Sequence, residues 1–442
     1  MRTGMPHWGR CVRQRAWIGS MLAGLMCGGC ATKNKIIIVG DRMPLDTVAM
    51  KPARKALTPQ DMACSQTVAA EWPQHSLNAQ HHVGSIEGPA NGWAYGWSRV
   101  IGGKSATKWR NPMLLTPLPV ASATHIFVLD PSGCVNAVDF QGNIAWTTPV
   151  QSLSDAVGMG GGLVLDDKCV YATTSQRNVR ALDRSTGQTI WKKRLKDPVR
   201  GSFCLAGNRL YGLNIHNQLI VLDASSGHTL WNEDASLDQY RTMRSSVPAQ
   251  YGDYVVMGSY GGDIICVDAK TGALRWEHDI SETSSQDEFG VTGGIVASPV
   301  IAQQRVLVTS ENGMLVCLDL ETGGLLWSHP LGSAFSPVVI GQTVVMITSN
   351  GRCVGLDLNS GSIFWDKMLP SGSPWLGPLV INNMIYALNQ KGLLIQMDPY
   401  CPDKITNVIQ LGEQQHNPAL VVRKGLIFYS PTGRLTWYAP RS

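Results

Sequence analysis

The chain has 442 residues, of which 16% are charged and 46 are glycine, and it carries twice as many tryptophans (14) as phenylalanines (7). Hydrophobic residues make up 44% at a formal net charge of only +5, which excludes a disordered chain and supplies enough apolar surface for a sizeable core. No apolar run of the ~18 residues that a membrane helix needs occurs after residue 40, and no acidic or basic tail points to nucleic acid.

Residues 1–29 read as an export signal, with Arg2, Arg10, Arg13 and Arg15 but no acid, then a short apolar stretch over 16–29 that tapers into small residues. Removing these four arginines takes the formal charge from +5 to +1, so the mature chain is nearly neutral and has no overall basicity for nucleic acid or anionic lipid. The stretch ends at Cys27-Gly28-Gly29-Cys30, which marks Cys30 as the lipid-modified first mature residue, although Cys27 stands where a lipobox usually places an apolar residue. Ordinary cleavage is the alternative. Residues 30–66 then read as a tether, with the apolar run 36–39 a candidate outer strand, and 67–442 as one folded domain. Eight cysteines follow Cys30, and none has CxxC or Cys/His metal spacing. They read as core thiols, with one or two disulfides left open.

The rest of the chain is a repeat. Asp183, Gly187 and Trp191 recur as Asp223, Gly227, Trp231, then Asp268, Gly272, Trp276, then Asp319, Gly323, Trp327, then Asp357, Gly361, Trp365, with a shortened copy at Asp139, Gly142, Trp146. Successive tryptophans from Trp146 to Trp365 lie 45, 40, 45, 51 and 38 residues apart, a period that suits one four-stranded propeller blade. An Asp side chain can accept backbone N–H bonds two or three residues on, the Gly takes a positive φ, and the Trp slots between blades with its N–H on a carbonyl. Trp97 takes the docking position of a further blade, and a last one, after Asp398, lacks a ring near Val408. The expectation is therefore an all-β, eight-bladed propeller of four-stranded antiparallel blades, with seven the alternative count. A strand near residues 70–97 would close it against 420–438.

This Asp-x3-Gly-x3-Trp unit resembles the tryptophan-docking repeat of quinoprotein-type propellers. Together with Gly158-Met159-Gly160-Gly161-Gly162, Ala297-Ser298-Pro299-Val300 and Gly372-Ser373-Pro374-Trp375, it is similar to the BamB family, particularly its alphaproteobacterial form. The resemblance implies a non-enzymatic scaffold of the outer-membrane β-barrel assembly (BAM) complex, held at the periplasmic face of the outer membrane by its lipid. It implies as partners the POTRA domains of a BamA-like subunit, other BAM subunits and nascent outer-membrane proteins, with no cofactor, no metal and no nucleic acid. A family loop with a partner-contacting Arg maps onto Asp197-Pro198-Val199-Arg200-Gly201. A second family loop has two Asp before a Pro; here the matching stretch contains Val296 and Ser298 but no acid, so Asp287 and Glu288 of the neighbouring polar insertion stand in as candidates.

Read without the resemblance, these features are plain. Residues 158–162 lack the GK[ST] of a phosphate loop, the repeat aspartates are turn residues, and no His has a Ser or Cys partner in a known motif. The competing classes are a quinone-dependent dehydrogenase, which shares the docking repeat, and a scaffold of another envelope complex. Against the former, the sequence has no adjacent Cys-Cys pair and little length for a cofactor-holding insertion.

Overall fold

The computed structural model describes residues 56–102, 117–151, 161–174, 176–199, 201–232, 246–280, 294–311 and 313–441, all within the compact unit Val48–Ser442. The export signal, Cys30, the tether up to residue 55, Gly158 to Gly160, Arg200, Asp287 and Glu288 lie outside the described residues.

Eight four-stranded antiparallel sheets follow one another along the chain. They are blade 1 (120–149), blade 2 (161–194), blade 3 (204–232), blade 4 (249–279), blade 5 (300–329), blade 6 (338–368), blade 7 (375–410) and blade 8, in which 420–440 is completed by Trp93–Val100. Eight is thus the blade number. Second strands such as His125–Leu129 are buried almost throughout, whereas outer strands such as Thr189–Arg194 keep alternate residues exposed. The difference follows from position: inner strands have neighbouring blades on both faces, and outer strands end at the rim.

Five of the eight joints between blades repeat one device. In blade 2, Asp183 Oδ1 accepts the N–H groups of Ser185 (3.0 Å) and Thr186 (2.8 Å), and these bonds with the Ser185 hydroxyl hold its carboxyl down at about 2. Gly187 closes the turn at φ +73°, and a Cβ there would come within 2.6 Å of the Trp146 ring of blade 1. The Trp146 indole N–H donates to Arg184 O in the same turn, at 3.3 Å. Equivalent bonds join Trp97 to Phe140 O, Trp191 to Ala224 O, Trp276 to Leu320 O and Trp327 to Leu358 O, at 2.8–2.9 Å. Each indole therefore sits on the glycine of the next blade's turn and bonds the residue after its aspartate. At ~25 cal/mol/Å² and ~150–250 Å² per ring, burial contributes up to about 4–6 kcal/mol apiece.

Two joints differ. Among the described residues, the Trp231 and Trp365 indole N–H groups find no carbonyl acceptor. At Trp231 the equivalent acceptor, Ala269 O, is taken by Arg209 Nη1 (2.5 Å) and Tyr211 Oη (3.3 Å). At Trp365 the facing turn is shortened, with Asp398 paired to Cys401. Blade 7 carries no docking indole of its own, and Val408 and Ile409 pack instead into the cluster it shares with blade 8.

Ring closure is narrower than the sequence suggests, because only Trp93–Val100 pairs with Arg434–Pro440. The residues before it form a strap that runs once around the axis and bonds every blade. Arg423 N donates to Ala69 O (blade 8), Trp72 and Ala121 exchange both backbone bonds (blade 1), and Leu165 N donates to Pro73 O (blade 2). Gln74 pairs with both backbone groups of Leu205 (blade 3), Gln250 N donates to Ala79 O (blade 4) and Ile301 N to Gln80 O (blade 5). His82 Nε2 donates to Val339 O (blade 6), and Ile86 bonds Val380 and Asn382 (blade 7). Thr67 N to Ser85 O and Glu87 N to Thr67 O then close the strap on itself. It satisfies inner-edge backbone groups that would otherwise face the axis unpaired. Just ahead of it, Asp61 O accepts bonds from Gln342 N and Thr343 Oγ1, and Met62 is buried between blades 6 and 7.

All eight cysteines of the described residues are free, and Cys204, Cys266, Cys317 and Cys353 are buried, with thiols pushed up to about 12 by desolvation.

Candidate partner-docking surface

In an antiparallel four-stranded blade, the link to the next blade and the turn between the second and third strands lie on one side. The first and last turns lie on the other. The strap occupies this second side, since its partners Leu165, Leu205, Gln250, Ile301 and Asn382 sit at or beside first turns. The between-blade connections carry the length variation and face the opposite way.

The connection after blade 2 holds the first predicted contact group. Pro198 O accepts Ile215 N at 3.0 Å, and Val199 forms an isolated bridge with Asn214. Val199 is only 1% exposed and packs among Val164, Tyr171, Phe203 and Leu222, so it holds the loop in place and leaves Pro198 and Gly201 at its surface. Asp197 lies 3.7 Å from His216 Nε2. Val296 and Ser298, of the second predicted group, are buried: Ser298 Oγ accepts Val247 N (3.0 Å) and Ser298 O accepts Ser336 Oγ (2.7 Å). Both groups converge on the axis, where Gly201, Val296 and Ser298 line one cavity.

That axial cavity, of about 230 Å³, is walled by the entry residues of the inner strands and floored by the strap residues Trp72, His75, His81 and Val83. His81 Nδ1 donates to Pro299 O at 2.9 Å, and desolvation, with the neighbouring His75 ring, lowers its pKa to about 3, so it is neutral at pH 7. The described lining contains no Asp, Glu, Lys or Arg. A carboxylate-rich quinone would find no cation there and its divalent metal no anion. Nor do the described residues contain a group of three or more His, Cys, Asp or Glu placed to hold a metal. The described lining therefore does not fit that cofactor.

Sequence reasoning passed over two features. The strap has no hydrophobic period, since it bonds each blade once through its backbone and polar side chains. The second feature, a set of cations on the rim of blade 2, was legible as Lys192-Lys193-Arg194 with Lys196 nearby, once set against the same positions in other repeats.

Eight blades joined by indole-on-glycine contacts define the class of quinoprotein-like propellers. A crystal structure of BamB from Moraxella catarrhalis has a TM-score of 0.65 at 19% identity, covering 78% of this chain and 99% of that one. Quinohemoprotein alcohol dehydrogenase from Comamonas testosteroni matches at a TM-score of 0.63 and 12% identity, covering 87% and 83%. At such identities these likenesses show the fold alone. Sequence narrows it: the family model described as outer membrane protein assembly factor BamB matches residues 131–367, more than half of the chain, and the chain belongs to that family. Its relatives include BamB of Yersinia pestis, 24% identical over 222 residues (49% of this chain, 56% of the relative). An uncharacterized protein of Rickettsia prowazekii is 26% identical over 215 residues (47% and 51%), in keeping with the alphaproteobacterial form. The chain spans about half the length of these curated relatives.

Proposed function

We propose that the protein is a non-enzymatic scaffold subunit of a BAM-type complex, lipid-anchored through Cys30 at the periplasmic face of the outer membrane. It would hold the POTRA domains of a BamA-like subunit and assist the insertion of outer-membrane proteins. The observation that carries this reading is the family match over 131–367. In support, the between-blade connections carry the length variation of the repeat while the docked indoles hold the ring, and the described axial lining offers no charged group for quinone chemistry. The test is co-purification from solubilised envelope with the partners identified by mass spectrometry. The reading expects the barrel-insertase subunit in stoichiometric yield, lost on Arg200→Glu. Recovery without that subunit, or stoichiometric binding of pyrroloquinoline quinone and Ca²⁺ with dehydrogenase activity, overturns it. Mass spectrometry of the mature amino terminus tests the anchor separately, and an unmodified Cys30 removes it.

A further inference from the structure

The outer edge of blade 2 is unlike that of any other blade. Its outermost strand, Thr189–Arg194, carries Lys192, Lys193 and Arg194, with Lys196 just beyond it, and Arg177 and Arg180 lie on and beside the adjoining strand Asn178–Asp183. The register places Arg180 directly opposite Lys192. The equivalent pairs elsewhere are Ile220 with Asn232, Ile265 with Glu277, Val316 with Ser328 and Val354 with Asp366, so two like charges meet at this position in blade 2 alone among these. Like charges directly opposite each other destabilise a sheet. Among the described residues none of the six cations has a carboxylate partner; Arg177 Nη1 bonds only a carbonyl, Lys196 O. A chain whose mature charge is about neutral thus gathers six cations, uncompensated, on one edge of one blade.

We propose that this edge is a docking surface for an acidic protein segment, laid across the outer strand of blade 2 and continuous with Asp197 and Pro198 just beyond it. Three observations select that occupant. The Arg180–Lys192 pair, already facing like charge, gains from incoming negative charge. Among the described residues the outer side of this rim strand is unpaired and can accept an extended segment, while its lysines repel basic strands and lose hydration against apolar ones, so the edge discriminates in favour of acidic ones. Position separates a protein from a membrane: Arg177, Arg194 and Lys196 lie toward the side of the between-blade connections, whereas the strap and Asp61, where the chain comes in from its amino end, lie on the other side. The inference rests on the scaffold reading above and gives its partner a chemistry.

The experiment measures binding of the full chain to the purified, detergent-solubilised barrel-insertase subunit of the same cell, at about 50 and about 300 mM salt. Wild type is compared with Lys192→Gln/Lys193→Gln/Arg194→Gln and with the charge reversal Lys192→Glu/Lys193→Glu/Arg194→Glu. Removing the repulsion should leave both variants folded, which a thermal melt checks. The expected result is affinity about tenfold weaker or more at low salt for the neutral variant, weaker still for the reversal, and a flatter salt dependence for both. Wild-type binding that the variants reproduce with the same salt dependence overturns the docking edge and leaves the scaffold reading standing. Absence of wild-type binding overturns both. The same samples are run against phosphatidylglycerol vesicles and in sedimentation. If the substitutions abolish vesicle binding and leave insertase affinity intact, the edge serves a membrane. If they abolish self-association, it serves the acidic rim of a second copy, where Asp263 faces Asp279 and Glu277 lies alongside. Either outcome overturns the proposal.

Discussion

Two neighbouring joints of the ring carry the same indole in the same place yet solve its polar end differently. Between blades 4 and 5, Trp276 lies on Gly323, whose Cβ would fall 2.6 Å from the ring, and its N–H reaches Leu320 O at 2.8 Å. Between blades 3 and 4, Trp231 lies on Gly272 at a corresponding 2.8 Å, but its N–H has no partner because Arg209 and Tyr211 hold Ala269 O. What stays constant is the face of the ring against a residue without a side chain. The hydrogen bond is the replaceable part.

The largest effect should come from removing the ring. Trp276→Ala is expected to cost about 3–5 kcal/mol in chemical denaturation through a cavity between blades, and Trp231→Ala nearly as much. A loss under about 1 kcal/mol at either site would contradict ring docking. Next, Gly323→Ala places a Cβ against the Trp276 ring at φ +70° and should cost about 1–3 kcal/mol, with Gly272→Ala close behind. Equal and negligible costs at both would mean that the ring and turn shift apart freely. Smaller still is the polar difference. Trp276→Phe leaves Leu320 O unpaired where Trp231→Phe leaves nothing, so the former should be about 1 kcal/mol more destabilising, and equal losses would show the indole bond to be idle.

The smallest effect concerns acid. Arg275 holds the Asp268 carboxyl well below the usual range in the turn under Trp231, while backbone and hydroxyl bonds from Thr322 lower Asp319 in the turn under Trp276. A carboxyl whose folded pKa is depressed stabilises the fold above its unfolded pKa, ~3.9, and that contribution is lost as pH falls through the folded value. Stability should therefore decline below about pH 4. Asp319→Asn and Asp268→Asn should each flatten the decline, read as the denaturation midpoint against pH, and unchanged slopes would remove the turn aspartates from the acid response.

Much of the ring was legible because its logic is periodic. The spacing of Asp, Gly and Trp gave six blades directly and the outer strand at Trp97 one more, whereas the blade after Asp398, with no ring, left the count open between seven and eight until the eight sheets were seen. What was hidden is what occurs once. The strap is not a strand and has no repeat, so residues 70–92 looked like the start of a closing strand; only in three dimensions do Pro73, Gln74, Ala79 and Gln80 meet four consecutive blades. Burial was hidden as well: Val199 in the candidate contact loop turned out to be a core residue. Absent acids before Pro299 were plain to read, but that Val296 and Ser298 face the axis depends on blade geometry.

A truncation that begins at Trp93 would keep every one of the thirty-two strands of the described residues and satisfy any strand-based definition of the domain, yet it would cut the bonds that the preceding residues make to all eight sheets. Those residues act as a drawstring at the hub, while the outermost strand of blade 8 is a seam at the circumference. A pull applied at residues 56–92 is therefore shared around the hub before it can reach the seam.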